Sequence, residues 1–380
     1  MVRFVHTSDW QLGMTRWFLG PDAQPRFTAA RIDAIRTIGR LVREREAAFV
    51  VVAGDVFESN HLDRAIVGRA LEAMHEIGVP VLLLPGNHDP LDPSSIMTSD
   101  EFAARAGDHV TVLNDTQPVL VQPGVEVVGA PWHSKKPLHD LASEAAYDQD
   151  PATGVTRILV AHGATAQFRG SEHDPARIDH RRLEAAIDDG RLHYVALGDR
   201  HSTTSVGDSG RIWYAGAPEP TAHVEDDPGN VLVVECAPDT CVVEPVQVGT
   251  WRFVTKHADL TDAEDVQAFA MWLRTQSSRD RTILRLALRG GVSLADAAAL
   301  EAVIEEAAEV YASVEHWEGH HDLVVLPGAD EFGDELSGFA RRAADDLAQA
   351  ADGTEHDPTT ARDALALLYR LSHATKEASR

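Results

Sequence analysis

The feature that most constrains this chain is a series of short apolar runs, each followed closely by side chains that can bind a metal ion. The runs are Val2–Thr7, Phe49–Ala53, Val79–Leu84, Ile158–Ala161 and Tyr194–Leu197, with Ile212–Ala215 close behind. Such runs are typical of buried strands. The first five are followed by Asp9, by Asp55, by Asn87-His88-Asp89, by His162 and by Asp199-Arg200-His201. Carboxylate oxygens, an amide oxygen and imidazoles bind divalent cations, so this order predicts a metal site assembled from strand ends.

Each of these residues taken alone has a simpler interpretation. A strand-end Asp usually forms a turn or caps a helix, and most of the 19 histidines, such as His61 and His139, are interpreted as surface or core residues. The combination is more specific than its parts, because every motif follows an apolar strand. The motifs are Gly54-Asp55, Gly86-Asn87-His88-Asp89, His162-Gly163 and Gly198-Asp199-Arg200-His201.

The fold class follows from the order of the elements. Residues 1–250 alternate strands with helical segments such as Phe27–Glu46 and Arg64–Ile77, which predicts an α/β sheet. From Arg191 onward the strands are closely spaced, which predicts a second, largely antiparallel sheet packed on the first. We therefore expect a four-layer α/β/β/α sandwich.

The length of 380 residues indicates one large domain and a smaller one. Residues 251–328 read as strand, helix, strand, helix and a final strand from Val314 to Leu326, which predicts a small α/β domain. From residue 329 to residue 380 the composition shifts to Ala, Asp, Glu and Arg. Two amphipathic helices are predicted there, over Glu335–Ala351 and Thr359–Ala374.

A net charge of −26 excludes strong non-specific binding of polyphosphates by the surface as a whole. Binding of nucleic acid would depend on local basic patches, bound cations or a partner. The local patches are Lys135-Lys136 and Arg177 with His180-Arg181-Arg182.

The location in the cell is predicted from what the sequence lacks. No apolar stretch approaches the length of a membrane span, and the N-terminal residues lack the pattern of a signal peptide, so we expect a cytoplasmic protein without a membrane partner. Cys236 and Cys241 fit this location as reduced thiols that face each other across a hairpin.

The motifs resemble those of the calcineurin-like metallophosphoesterase superfamily. Within it they are most similar to the SbcD-type nucleases of DNA double-strand-break repair. The residues that carry the closer resemblance are His6-Thr7-Ser8-Asp9-Trp10, Gly54-Asp55-Val56-Phe57, Val195-Ala196-Leu197-Gly198 and Tyr214-Ala215-Gly216-Ala217-Pro218-Glu219-Pro220. The small α/β unit and the helical tail resemble that branch's DNA-facing cap and ATPase-binding helices by layout only.

The resemblance implies two divalent metal ions that share Asp55. One would be held by Asp9, Gln11, Asp55 and His201, and the other by Asp55, Asn87, His162 and Asp199. His88 would not be a ligand. It would stabilise charge at the scissile phosphate and protonate the leaving 3′ oxygen, and Asp89 could orient it.

Two positions depart from the family pattern. Asp9-Trp10-Gln11 replaces Asp-x-His, and Gly198-Asp199-Arg200-His201 replaces Gly-His-x-His. On an extended segment Asp199 and His201 would point to the same side. The changes shift the site from nitrogen toward oxygen donors, which favours Mn²⁺, or Mg²⁺, over Zn²⁺. A weakly bound ion at Gln11 is the alternative.

The resemblance further implies a Mn²⁺-dependent DNA exonuclease and endonuclease that works with an SbcC-like coiled-coil ATPase. Helices in the first half of the chain could also build a homodimer, which would let two sites address two strands. Two alternatives stay open. The same chemistry could act on a small molecule or a phosphoprotein, which the acidic charge favours, or the altered ligands could leave a weakly active or inactive scaffold subunit.

Overall fold

The computed structural model describes residues 1–168, 174–326, 338–352, 360–361, 364–365 and 367–368. Two units are distinguished: Met1–Trp17 with Gln24–Trp251, and Phe18–Ala23 with Arg252–Arg380. Among the helices formed by these described residues, none is both long and apolar enough to cross a membrane.

Through residue 247 the chain alternates strands and helices. In order these are β1 (Val2–Thr7), α1 (Ala23–Arg45), β2 (Val50–Val52), α2 (Arg64–His75), β3 (Val81–Leu83), α3 (Asp100–Ala106), β4 (Val110–Val112), β5 (Val119–Gln122), β6 (Val125–Ala130), α4 (Leu141–Tyr147), β7 (Thr156–His162), α5 (His180–Asp188), β8 (Tyr194–Gly198), β9 (Thr204–Val206), β10 (Ile212–Tyr214), β11 (Asn230–Ala237) and β12 (Thr240–Gln247).

These strands form two six-stranded sheets. The first has the order β12-β11-β1-β2-β3-β4, and the second has the order β5-β6-β7-β8-β10-β9. In the first sheet β1, β2, β3 and β4 pair in parallel, whereas β11 is antiparallel to both β1 and β12. In the second sheet β6, β7, β8 and β10 pair in parallel, and β5 and β9 are antiparallel edge strands.

Alternating side chains along the strands place the two sheets face to face. On β2, Val50 and Val52 pack with the helices of the first sheet, while Val51 packs between the sheets. On β7, Ile158 packs between the sheets and Leu159 packs with α4 and α5. Successive side chains of these strands point to opposite faces of the sheet, and both faces are buried. This is expected of parallel strands that are covered on both sides. The result confirms the expected four-layer α/β/β/α sandwich.

One detail of the predicted fold is wrong. The second sheet is mixed, with three parallel pairings, and is not largely antiparallel. The closely spaced strands after Arg191 do not stay together: β8 and β10 join the second sheet, while β11 and β12 extend the first. The hairpin pairing of Cys236 with Cys241 agrees with expectation, and both thiols are free.

The second unit contains a parallel sheet of its own. Its elements are β13 (Arg252–Leu260), α6 (Ala263–Thr275), β14 (Thr282–Ser293), α7 (Leu294–Ala308), β15 (Ser313–His316), β16 (Asp322–Leu326) and α8 (Phe339–Asp352). The predicted single strand from Val314 to Leu326 is two strands, which pair with successive parts of β14. Phe269 of α6 and Leu300 of α7 pack on Leu286 of the sheet.

The predicted helical tail is described in part. Residues 335–337 of the first predicted tail helix lie outside the described residues, and α8 covers most of the rest. Of the second, Thr359–Ala374, the described residues are helical. Leu365 of this segment is buried with Ala344 of α8.

Candidate metal centre

The predicted ligands lie where strands of the two sheets end. Asp9 follows β1, Asp55 follows β2 and Asn87 follows β3, all in the first sheet. His162 ends β7 and Asp199 follows β8, in the second sheet. Because neighbouring parallel strands end at the same edge, each sheet presents its ligands together. The structure brings the two groups to one place, and atoms of Asp9, Asp55 and His162 lie within 4.8 Å of one another.

The backbone at the ligands is unusual. Seven non-glycine residues in the described part of the chain have positive φ, and four of them are predicted ligands. These four are Asp9 (52°), Gln11 (43°), Asp55 (52°) and Asp199 (100°). Left-handed backbone is costly for a residue with a Cβ and concentrates at functional sites. The structure therefore holds these side chains in place at the expense of local backbone strain.

Two glycines let the sheets approach each other at the site. A Cβ on Gly54, whose φ is +91°, would overlap the ring of His162. A Cβ on Gly198 would overlap the carbonyl oxygen of Ala53. The Gly-Asp pairs of the sequence thus have a steric cause: the glycine allows the contact between sheets, and the aspartate beside it supplies the ligand.

Around His162 the acceptors converge on one ring nitrogen. Nδ1 lies 2.8 Å from the carbonyl oxygen of Ala53, so it carries the hydrogen and donates it. Nε2 faces the site, 2.8 Å from Asn87 Oδ1, 3.5 Å from Asp55 Oδ1 and 3.8 Å from Asp199 Oδ1. A neutral imidazole held in this tautomer presents a lone pair, as metal-binding histidines do.

A second cluster contains Asp9, Gln11 and His201. His201 Nε2 lies 3.8 Å from Asp9 Oδ1 and 3.3 Å from Gln11 Nε2. Its Nδ1 lies 2.7 Å from Thr221 Oγ1 and 3.1 Å from Glu225 Oε1, so it donates to this pair. Gln11 is 3% exposed, and its Oε1 atom has no hydrogen-bond partner. A buried amide oxygen without a donor is costly, and a cation would supply what it lacks.

The electrostatics of the site also fit bound cations. Burial raises the pKa of Asp9 and of Asp199, which disfavours their charged forms. Burial alone would lower the pKa of His162, but the nearby carboxylates of Asp55, Asp9 and Asp199 raise it to about 9. Without cations the cluster therefore retains protons, and divalent ions would displace them. The donor set of carboxylates, amides and two imidazoles fits two such ions.

His88 lies beside these ligands. Its backbone N–H donates to Asp55 Oδ1 at 2.9 Å, and its Nε2 is 3.9 Å from Asp55 Oδ2. Its side chain is 37% exposed, whereas that of His162 is fully buried. His88 is thus the most exposed of the three imidazoles at the site.

The carboxylate of Asp89 has partners other than the ring of His88, and its orienting role stays a prediction. Its carboxylate accepts the backbone N–H of Gly86 at 2.8 Å and of Phe57 at 2.9 Å. Asp89 is fully buried, and burial, with the charge of Asp55, raises its pKa to about 7. It therefore joins the loops that carry Asp55 and Asn87. The atoms nearest His88 Nδ1 belong to Glu58 instead.

Asp199 and His201 do not point to the same side as predicted. The φ of 100° at Asp199 breaks the extended conformation that the prediction assumed. Asp199 consequently faces the His162 cluster and His201 faces the Asp9 cluster. Because of this turn, Asp199 and His201, two positions apart in the sequence, contact different ligand clusters.

Two residues that contact histidines of the site were absent from the sequence analysis, Glu58 and Glu225. Glu58 directly follows the Gly54-Asp55-Val56-Phe57 motif, so its position was a usable signal. Glu225 lies 24 residues beyond His201 in sequence, and no periodicity or motif connects the two.

Of the predicted basic residues, Lys135, Lys136 and Arg177 lie on loops that adjoin the site, whereas His180, Arg181 and Arg182 belong to α5. The loop with Lys135 is tied to the His88 loop by a hydrogen bond from the Leu91 N–H to the Trp132 carbonyl, 2.8 Å. The charge of Lys135 helps to lower the pKa of Asp92, after the hydrogen bonds from Ser94. Next to Arg177, the N–H of Ile178 donates to the Ala164 carbonyl, two residues past His162.

A four-layer α/β sandwich with acidic and imidazole ligands at its strand ends defines a metallophosphoesterase fold. A family model described as calcineurin-like phosphoesterase matches residues 2–233. The chain therefore belongs to the calcineurin-like phosphoesterase family.

Two curated proteins show further similarity. The DNA double-strand break repair protein Mre11 of Haloferax volcanii is 26% identical over 318 residues, which cover 82% of this chain and 66% of that protein. A subunit of the SbcCD nuclease of Bacillus subtilis is 24% identical over 125 residues, 32% of this chain and 30% of that protein. The chain thus covers less than two thirds of the length of either relative. Among solved structures, a dimetal phosphatase of Danio rerio is 11% identical and covers 64% of this chain and 98% of that one, with a TM-score of 0.37.

Proposed function

We propose that this chain is a two-metal phosphodiesterase that cleaves DNA. The observation that carries the proposal is the convergence of strand-end ligands into two adjoining clusters, with the exposed imidazole of His88 beside them. One cation would be held by Asp9, Gln11, Asp55 and His201, and the other by Asp55, Asn87, His162 and Asp199. The oxygen-rich donor set favours Mn²⁺.

The residues of the site have different roles in the proposed hydrolysis. Two cations held by these ligands would lower the pKa of a water molecule and stabilise charge on the attacking and leaving oxygens. His88 is the general acid, because its Nε2 faces the site and an alkoxide leaves poorly without a proton. Asp89 holds the loop that carries His88 and Asn87 in position.

DNA is the proposed substrate, and a coiled-coil ATPase of the SbcC type is the proposed partner. The names of the two relatives, a break-repair protein and one subunit of a nuclease, support DNA as the substrate and the presence of a partner subunit. That the partner is an ATPase is what the resemblance of the sequence implies. With a net charge of −26, contacts to phosphates would come from the cations and from local residues such as Lys135, Lys136 and Arg177. We also propose a homodimer, built by helices in the first half of the chain, and a cytoplasmic location.

A second candidate is hydrolysis of a smaller phosphodiester or a phosphate monoester, which the negative charge favours. One experiment separates the candidates. Purified protein with Mn²⁺ is given labelled duplex DNA, circular single-stranded DNA and bis-p-nitrophenyl phosphate, with His88→Ala as the control. We expect cleavage of DNA and a loss of about a hundredfold or more in His88→Ala. Hydrolysis of the dye ester without cleavage of DNA would support the smaller substrate, and inactivity on all three would indicate a scaffold subunit.

The ligand assignment has its own test. Titration of the metal-free protein with Mn²⁺ should show two binding events by calorimetry. Asp55→Ala should abolish both, because Asp55 is assigned to both ions. Two ions bound to that variant would contradict the shared ligand.

A further inference from the structure

The chain contains two cysteines, and the fold places them directly opposite each other. Cys236 of β11 is the antiparallel partner of Cys241 of β12, across the short turn at Pro238 and Asp239. Residues that face each other on antiparallel strands have Cα atoms about 4.5–5.5 Å apart. A disulfide requires about 4.4–6.8 Å, so the backbone of this hairpin meets the distance that such a bond needs.

The two side chains lie on the same face of the first sheet, toward the second sheet. Cys236 is fully buried in the layer between the sheets, whereas Cys241 packs against that layer and is only partly buried. The thiol of Cys236 hydrogen-bonds the sulfur of Cys241. The two sulfur atoms are therefore in contact, and Cys241 is the one of the pair that keeps some exposure to solvent.

The surroundings favour the thiolate of Cys241. The hydrogen bond from Cys236 lowers the pKa of Cys241 and raises that of Cys236; burial opposes the change at Cys241, and the charge of Arg211 adds to it. Arg211 is held beside the pair, because its Nη1 donates at 3.0 Å to the His193 carbonyl oxygen, which lies 3.5 Å from Cys236 Sγ. The thiolate is the form of cysteine that attacks a disulfide, so Cys241 reacts first.

We propose that Cys236 and Cys241 form a reversible disulfide, with a small-molecule disulfide as the oxidant. The Cys241 thiolate attacks one sulfur of the oxidant, which breaks the oxidant's S–S bond, releases one thiolate and leaves a mixed disulfide on Cys241. The sulfur of Cys236 then loses its proton to solvent and attacks Cys241 Sγ, and the second thiolate leaves. The two protein thiols are oxidised, and the oxidant is reduced to two thiolates that take up the two protons.

The disulfide fastens an edge strand of the first sheet. Among the strands that the structure describes, β12 is the outermost of that sheet and pairs with β11. Cys236 is also the partner of Val2 at the start of β1, whereas Asp9 follows the end of that strand. The cysteine pair therefore lies at the opposite end of β1 from the metal ligands, and the inference is independent of the proposed function.

Oxidised glutathione is the probe for the test. The reduced full chain is freed of reductant and incubated with the probe, and its intact mass is measured with and without alkylation of free thiols. We expect a protein that is lighter by two hydrogen atoms, takes up no alkylating group and recovers both thiols when a dithiol reductant is added. Hydrogen exchange at the amides of β12 should be severalfold slower in the oxidised form, because the bond restrains local opening.

Three variants test the separate steps. Cys236→Ser should stop at a glutathione adduct on Cys241, and Cys241→Ser should leave the buried Cys236 unmodified. The double variant Cys241→Ser/Val242→Cys is the matched control, because Val242 pairs with Glu235 and its side chain alternates to the other face of the sheet. It keeps two thiols in the same hairpin, and it should accumulate the glutathione adduct without forming the internal bond.

The unaltered protein alone can overturn the proposal. Thiols that stay free, a glutathione adduct that persists, or a disulfide between two chains would each do so. An internal bond that forms as readily in the double variant as in the unaltered protein would contradict the role of the facing positions. Unchanged hydrogen exchange in β12 after the bond has formed would show that the disulfide does not fasten the strand.

Discussion

At the scale of single residues, the site depends on groups that hold the ligands as much as on the ligands themselves. His201 illustrates this, because its Nδ1 hydrogen is shared between Thr221 and Glu225. Glu225 also accepts from the backbone N–H and the hydroxyl of Thr221. The carboxylate of Glu225 thus fixes the tautomer of the His201 ring and the position of Thr221. The Nε2 atom of His201 is left directed at Asp9.

Glu225→Gln should weaken the binding of one of the two cations and leave the binding of the other unchanged. Loss of the carboxylate makes the His201 imidazole a poorer donor to metal, and such changes typically cost about 10- to 100-fold in affinity. Calorimetric titration with Mn²⁺ at fixed pH measures both affinities. Glu244→Gln, in an exposed ion pair with Arg45, is the control and should not change them. An equal loss at both sites would show that the variant disturbs the whole fold.

The sequence predicted the candidate ligands but not the residues that hold them in place. Asp9, Asp55, Asn87 and His162 were predictable because a strand end fixes which side of a sheet the next residue occupies. The contacts of Glu225 and Asp89 arise only when distant loops fold together, so no local spacing reports them. Asp89 was assigned to the neighbouring His88 for that reason, although its partners are backbone N–H groups.

At the scale of elements, β1 and β8 are joined by a polar contact inside an apolar layer. His6 of β1 is fully buried, with Nδ1 3.0 Å from the Tyr194 hydroxyl and Nε2 3.2 Å from the Leu197 carbonyl. The carbonyl can only accept, so Nε2 donates and Nδ1 accepts from Tyr194. Both nitrogens are satisfied while the ring is neutral, and burial lowers the pKa of His6 to about 3.

This pKa predicts a loss of stability in acid. The unfolded chain binds a proton at His6 near pH 6.5, whereas the folded chain does so only near pH 3. The contribution of His6 is therefore complete above pH 6.5 and is lost as the pH falls toward 3, by up to about 1.4 kcal/mol per pH unit. In His6→Gln this dependence should disappear.

Urea unfolding in the presence of a chelator measures the effect between pH 7 and pH 4. The free energy of unfolding should fall more steeply with acid in the unaltered protein than in His6→Gln. His257→Gln, an exposed histidine of β13, should keep the original slope. Parallel curves for His6→Gln and the unaltered protein would contradict the prediction.

The order of strands in the two sheets was harder to predict from the sequence than the strands or the layers. The residues of β11 are buried on both faces of its strand, as in β7, so burial alone does not tell which sheet receives it. Its place beside β1 depends on pairings such as Phe4 with Val234, which join residues far apart in sequence. The alternation of side chains was enough to predict the four layers. It was not enough to predict which strands pair with each other.

At the scale of the whole molecule, cations should contribute to stability as well as to catalysis. Buried carboxylates gather at one place, and binding to the folded state alone stabilises it by about 2.7 kcal/mol per site at a hundredfold excess over Kd. Mn²⁺ should therefore raise the Tm of the full chain by several degrees, and a chelator should reverse the shift. Calorimetric melting of the full chain measures it.

Asp55→Ala provides the control for this prediction. It should melt at the same temperature with and without Mn²⁺, because both ions are assigned to Asp55. Its metal-free Tm should equal or exceed that of the unaltered protein, since one crowded carboxylate is gone. A normal Mn²⁺ shift in this variant would place the stabilising ions elsewhere.

The contact between Ala53 and His162 has a consequence beyond the site. Ala53 belongs to the first sheet and His162 to the second, and the hydrogen bond between them sets the ring that faces the ligands. Phe4 and Phe49, stacked 5.0 Å apart between the sheets, help to set the spacing on which that bond depends. Natural selection on activity would therefore act on the thickness of a hydrophobic layer, and changes in packing there would alter the enzyme without altering any ligand.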